Sequence, residues 1–126
     1  MNKPLLYVLV FLFIITTVSA QKGHLSLLAV TEEGNQGTKA DLYLEIKPGS
    51  GKVFIETIPL TKLDTQLSTR FAQKIACDFL KTDCSRKDFF YTIRSDATLI
   101  GGPSAGAAVA ALTAAMLDNQ EVNQKV

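Results

Sequence analysis

The sequence predicts an α+β fold, a small mixed or antiparallel sheet with two helices. Three features of the 126 residues support this prediction. Several short segments are apolar, β-branched or alternating, which is typical of strands. One later segment repeats apolar residues with the period of a helix, and another is a long alanine-rich run. A chain of this length holds one domain at most.

Four segments are predicted as strands. Residues 24–30 are short and apolar, and polar residues or glycine bound them. Residues 40–46 alternate apolar and polar side chains, which predicts one buried face. The sequence at 48–51, PGSG, is typical of a turn, so residues 52–58 are predicted to return as the antiparallel neighbour of that strand. Residues 89–95 are aromatic and β-branched and form the fourth predicted strand.

The first predicted helix starts with Asp64 or Thr65 as its N-cap. Apolar residues recur here in steps of four with small residues beside them, which predicts one stripe that faces the sheet: Leu67, Phe71, Ile75 and Phe79, beside Ala72, Ala76 and Leu80. Three charged residues lie off the stripe and are expected in solvent: Lys74, Asp78 and Lys81.

The second predicted helix runs from about Ser104 to Leu117. Gly101 and Gly102 break the preceding strand, and Pro103 suits the first turn of a helix. Nearly all faces of this helix are Ala, Val, Leu or Met, which predicts burial on most sides.

The N-terminus has the pattern of a signal peptide. A basic start is followed by a 14-residue apolar run, residues 5–18, and by Val18-Ser19-Ala20, a small-x-small cleavage site. A membrane-spanning helix needs about 20 apolar residues, so cleavage is favoured over an uncleaved anchor that would tether the chain to a membrane. The sequence therefore predicts an extracytoplasmic protein, secreted or membrane-anchored, with its folded domain in residues 21–126.

Charge and cysteine content narrow the function classes. Thirteen basic and 12 acidic residues, with no basic tract, give no indication of nucleic-acid binding. In an oxidising compartment Cys77 and Cys84 are expected to form a disulfide, with two buried free thiols as the alternative. The only histidine, His24, is distant and there is no second cysteine pair, so no metal site is predicted. We expect no cofactor.

Ser104 is the candidate site residue. At a strand-to-helix junction it could act as the helix cap, or the free N–H groups there could hold an oxyanion or a phosphate. A nucleophilic serine also needs a base. His24 lies on a predicted strand and supports a Ser-His-Asp triad only weakly. Lys125 is the only lysine after Ser104.

Residues 101–117 read GGPSAGAAVAALTAAML. This stretch resembles the serine motif of Lon-type peptidases, Asp-Gly-Pro-Ser-Ala-Gly followed by a small-residue helix. The resemblance extends over residues 23–126, through GHLSLLAVTEEG, LYLEIKPGSGKVFIETI and LDTQLSTRFAQKIACDFL, although only the Pro-Ser-Ala-Gly core is specific. It implies that Ser104 is the nucleophile of a Ser-Lys dyad that hydrolyses polypeptide, and it allows a homo-oligomer, since ring assembly is common in the family.

Two departures limit that implication. Gly101 replaces the aspartate of the family motif. The dyad lysine of the family lies on a later helix, which this sequence does not reach, so Lys125 is not assigned as the base. We therefore expect residues 21–126 to be part of a longer peptidase domain with little or no activity alone. No GxxxxGK[ST] segment occurs, which indicates an ATP-independent relative.

Two other functions compete with the peptidase. A small-molecule kinase of the galactokinase and mevalonate-kinase type would hold phosphates with a Gly-Ser-Ser-Ala loop, whereas this loop has one serine and the chain is short for such an enzyme. The more serious alternative is a non-catalytic extracytoplasmic interaction domain that keeps a peptide-binding edge.

Overall fold

The computed structural model describes residues 20–30, 37–58, 60–96 and 102–123. These ranges form a four-stranded mixed sheet and two helices, which confirms the predicted α+β class. In chain order the elements are β1 (Gln21–Val30), β2 (Gly37–Pro48), β3 (Val53–Ile58), α1 (Leu63–Phe79), β4 (Lys87–Ser95) and α2 (Ala105–Leu117).

The strands lie in the order β1-β2-β4-β3, and β3 is parallel to β4 while the other pairs are antiparallel. The predicted hairpin of β2 and β3 is therefore wrong, because β4 lies between them. Two strand spacings separate β2 from β3, about 10 Å, and residues 49–52 must cross that gap.

Asp88, at the start of β4, holds this crossing. Its Oδ1 accepts hydrogen bonds from the backbone N–H groups of Ser50 at 2.8 Å and Lys52 at 2.9 Å. These bonds hold the pKa of the Asp88 carboxyl below its ordinary range. Gly51 takes the positive φ of 83° that the turn requires. The crossing thus depends on a side chain 36 residues from Lys52 and is not the simple turn that the composition predicts.

The core lies between one face of the sheet and α2. Alternate residues of β2 and β4 point inward and are buried: Leu42, Leu44, Ile46, Phe89, Tyr91 and Ile93. Val109, Leu112 and Met116 of α2 belong to the same cluster, together with Ala72 and Cys77 of α1. Gly23 of β1 allows the close approach of α2, because a Cβ built there would contact Met116 and lie 3.1 Å from Leu112 Cδ1.

Tyr91 carries the one buried tyrosine hydroxyl among the described residues. Its oxygen lies 2.8 Å from Thr113 Oγ1, and Thr113 donates its own proton to the carbonyl of Val109 at 2.6 Å. The Tyr91 hydroxyl is therefore the donor to Thr113. Burial raises the pKa of this phenol above its ordinary value, so the group stays neutral.

Helix α1 does not follow the prediction for its apolar stripe. The large stripe residues are exposed, and α1 buries small residues instead: Thr65, Thr69, Ala72, Ala76 and Cys77. Its main packing partner is α2. The expected solvent positions, Lys74, Asp78 and Lys81, are exposed as predicted. The N-cap prediction is also wrong, since Lys62 occupies that position without a side-chain bond.

The preferred interpretation of the two cysteines is confirmed. Cys77, in the last turn of α1, is bonded to Cys84 in the connection to β4. The disulfide closes a loop of eight residues and joins the end of α1 to the connection that leads into β4.

The predicted signal peptide or anchor lies in residues 1–20, of which the structure describes only Ala20. Within the described ranges, no helix combines the length and apolar character that a membrane crossing requires. Secretion and the tether through residues 5–18 stay predictions.

Candidate functional site

Ser104 lies exposed immediately before α2. Its backbone is already helical, with φ −60° and ψ −30°, and its hydroxyl makes no capping bond to the helix. A side-chain cap needs an extended backbone at this position, so the capping interpretation of Ser104 is wrong. The hydroxyl is available to solvent at the N-terminal end of a helix.

Asp64 and Thr65 of α1 hold the loop in front of Ser104. The N–H of Gly102 donates to Asp64 Oδ2 at 3.2 Å, and Thr65 Oγ1 donates to the carbonyl of Gly102 at 3.3 Å. Gly102 has a φ of 104°, which favours glycine. Residues that the sequence suggested as helix caps thus fix the loop backbone. Nothing local in the sequence indicates this, because 38 residues separate Asp64 from Gly102.

The small residues after Ser104 serve the helix pair. A Cβ built on Gly106 would lie 3.3 Å from Ser68 Cβ of α1, tighter than ordinary contact. Gly106 therefore leaves room for α1, which packs against it at Ser68.

His24 is not brought to Ser104. Its Nε2 lies 2.8 Å from Asp41 Oδ1, and its ring stacks on Tyr43 with centroids 4.7 Å apart. This contact is on the sheet face opposite α2, because Tyr43 alternates with the buried Leu42 and Leu44. Gly23, the neighbour of His24, packs against Met116, which is about 18 Å along the helix from Ser104.

The Asp41 cluster is a structural ion-pair group and no catalytic triad. Ser26 Oγ donates directly to Asp41 Oδ1 at 3.1 Å, and Lys39 Nζ lies 3.5 Å from the same oxygen. In a triad the serine would face the imidazole and the imidazole the acid. Here His24 and Ser26 both contact the Asp41 carboxylate. The hydrogen bond from His24, followed by those from Ser26 and Lys39, lowers the pKa of Asp41.

No base contacts Ser104 in the part of the chain that the structure describes. Lys125 and Gly101 lie outside those residues. Within the described ranges no three His, Cys, Asp or Glu side chains gather as a metal site requires.

The two outer strands of the sheet differ in how open they are. The ten-residue β1 pairs with β2 on one side, and no other described strand pairs with its second edge. The six-residue β3 is partly covered, because Arg70 Nη1 donates to the carbonyl of Val53 at 3.1 Å. The edge of β1 is thus the longer surface for backbone hydrogen bonding.

Comparison with known proteins gives no family. No family model matches the chain, and no curated protein matches it. A solved structure of the mevalonate kinase from L. major, in complex with R-mevalonate, matches with a TM-score of 0.44 and 16% identity. The match covers 85% of this chain and 38% of the kinase chain.

These findings contradict the resemblance to Lon-type peptidases. Neither the family models nor the curated proteins give a match to the peptidase family. The family expectation is therefore wrong. The role that it implied for Ser104 stays a prediction.

Proposed function

We propose that this chain is a non-catalytic, extracytoplasmic polypeptide-binding domain that takes an extended segment on the open edge of β1. The observation that carries the proposal is the ten-residue edge itself. No other described strand pairs with this edge, and the backbone groups of a sheet edge can bond an added peptide strand.

Side chains along β1 define the segment that fits. Leu25 and Leu27 are only partly buried and pack at the border of the core, so alternate apolar residues of the guest would extend the apolar layer. On the other face Leu28 is 96% exposed, and Lys22 lies 3.7 Å from Glu45. The favoured guest is an extended chain with apolar residues at every second position.

The experiment uses a permanently unfolded probe, fluorescein-labelled α-lactalbumin that has been reduced and carboxymethylated. We expect the fluorescence anisotropy of the probe to rise on adding the full chain, and backbone amides of β1 to gain protection from hydrogen exchange. Leu28→Asp is expected to weaken binding about threefold, the size of one cross-strand pair.

The matched control is Phe71→Asp, the same kind of change at an exposed apolar residue on α1. We expect Phe71→Asp to leave the binding of the probe at β1 unchanged. Binding without protection of β1 amides, or equal loss in both variants, would exclude strand addition.

A second candidate is serine peptidase activity through Ser104. Ser104 is exposed, and its hydroxyl makes no capping hydrogen bond to the helix. The base would have to come from outside the described residues. The same probe tests it on a gel. We expect no fragments from the 126-residue chain, and fragments that disappear in Ser104→Ala would make the peptidase the better proposal.

A further inference from the structure

The large apolar residues of α1 form one continuous exposed row. Leu63, Leu67, Phe71, Ile75 and Phe79 follow each other at intervals of four and are between 47% and 77% exposed. We name these five residues the α1 ridge. They lie on the side of α1 opposite the buried Thr65, Thr69 and Ala72, and α2 is the main packing partner of α1.

The apolar area of the α1 ridge matches what a homodimer needs. At roughly 180 Å² for a fully exposed large apolar side chain, the exposed fractions give about 570 Å². A standard interface of about 800 Å² per partner that is about 65% apolar, as in homodimers, needs about 520 Å². The α1 ridge therefore exposes enough apolar area in total, of which Leu67, Phe71 and Ile75 at its centre give about 310 Å².

The spacing of the α1 ridge makes it complementary to itself. All five residues belong to one i±4n row, and two such rows pack at a crossing angle of about −50°. A two-fold axis at Phe71 pairs the row with its own copy, since Leu67 of one copy then meets Ile75 of the other. The ends of the two helices diverge, which separates Asp64 of one copy from Asp78 of the second.

A lipid surface fits the α1 ridge less well. At 100° per residue, Asp64 and Asp78 project within about 20° of the direction of Phe71, and both are exposed. A membrane-bound ridge would push these two carboxylates towards the acyl chains, whereas a crossed helix pair leaves them in water.

We infer that the α1 ridge is the interface of a two-fold symmetric homodimer, in which α1 of one copy crosses α1 of a second copy at Phe71. This interface goes beyond the proposed peptide binding and uses a different surface. In the dimer both β1 edges stay open, because α2 and not α1 packs on β1.

Cysteine cross-linking of the full chain in mild detergent tests the inference. Cys77 and Cys84 are bonded to each other, so the described residues contain no other thiol. Under oxidation we expect Phe71→Cys to give covalent dimers at several times the yield of Leu28→Cys, the matched control at an exposed apolar residue off the ridge. A mixture of Leu67→Cys and Ile75→Cys should cross-link better than either variant alone.

Three outcomes would overturn the dimer. Phe71→Cys could cross-link no better than Leu28→Cys, as expected if a membrane or another protein covers the α1 ridge. Leu67→Cys alone could cross-link as well as the mixture, which would indicate a parallel pair. Cross-linking could also persist unchanged when Ile75→Asp is added to Phe71→Cys. None of these results affects the binding of the unfolded probe at β1, so the two proposals fail separately.

Discussion

Helices α1 and α2 are both rich in apolar residues, yet they bury different kinds of side chain. Helix α2 places Val109, Leu112 and Met116 in the core. Helix α1 buries threonines and alanines against α2 and leaves its leucines, isoleucine and phenylalanines in solvent. Close helix packing at Gly106 and Ser68 explains the choice on α1, since only small residues fit that spacing.

The comparison shows that hydrophobic periodicity locates a helix without identifying its buried face. Helix α1 has two apolar faces, one made of small residues and one made of large residues. The fold buries the face made of small residues. The α1 ridge stays exposed, and an exposed apolar patch of this kind marks an interaction surface.

The largest expected difference is between a core residue of α2 and a ridge residue of α1. Leu112 is 1% exposed, so Leu112→Ala should lower the free energy of unfolding by about 3 kcal/mol. Phe71 is 64% exposed, and Phe71→Ala should change the stability of the monomer by less than about 0.5 kcal/mol. Urea unfolding of both variants at low protein concentration measures this. Similar losses in the two variants would mean that Phe71 is buried in the monomer.

Much of the fold could be predicted from the sequence because its signals are local. The strand segments and both helices follow from alternation, β-branched residues and helical spacing, and the structure places elements at each of them. The order of the strands could not be predicted. Asp88 holds the crossing that separates β2 from β3, together with the carbonyl of Arg86, which accepts from the N–H of Gly49. Both residues lie far along the chain from the residues they bind.

The candidate site was less predictable than the fold. The sequence indicated the position of Ser104 at the start of a helix, and the structure agrees. The contacts of Gly102 with Asp64 and Thr65 depend on how α1 meets the loop, which no local pattern indicates. The sequence also failed to predict which face of α1 is buried, because that depends on how α1 packs against α2.

An intermediate loss of stability is expected from a larger side chain between α1 and α2. Gly106→Leu should destabilise the fold by about 1–3 kcal/mol, because the side chain has to displace Ser68. Ala111→Leu is the matched control on an exposed position of α2, and it should change stability by less than about 0.5 kcal/mol. Thermal unfolding followed by circular dichroism compares them. Equal behaviour would mean that small residues are not required between α1 and α2.

The smallest effect concerns the outer face of the sheet. Hydrogen bonds from His24 and Ser26 lower the pKa of Asp41 below its ordinary value of 3.8. This contribution to stability is therefore present above that value and is lost as the pH falls through the lowered pKa. The melting temperature of Asp41→Asn should lie slightly below that of the parent at pH 7, and the two should converge in strong acid. A gap that is constant with pH would show that the Asp41 contacts do not depend on its charge.

The most direct test of the account is the mass of the full chain in solution by sedimentation velocity, compared among the parent, Phe71→Asp and Leu28→Asp. We expect the parent and Leu28→Asp to sediment as dimers and Phe71→Asp to weaken association about tenfold or more, as loss of a central contact residue does. A parent chain that sediments as a monomer at every concentration, or a dimer that Phe71→Asp leaves intact, would contradict the claim that the large apolar face of α1 is an interface.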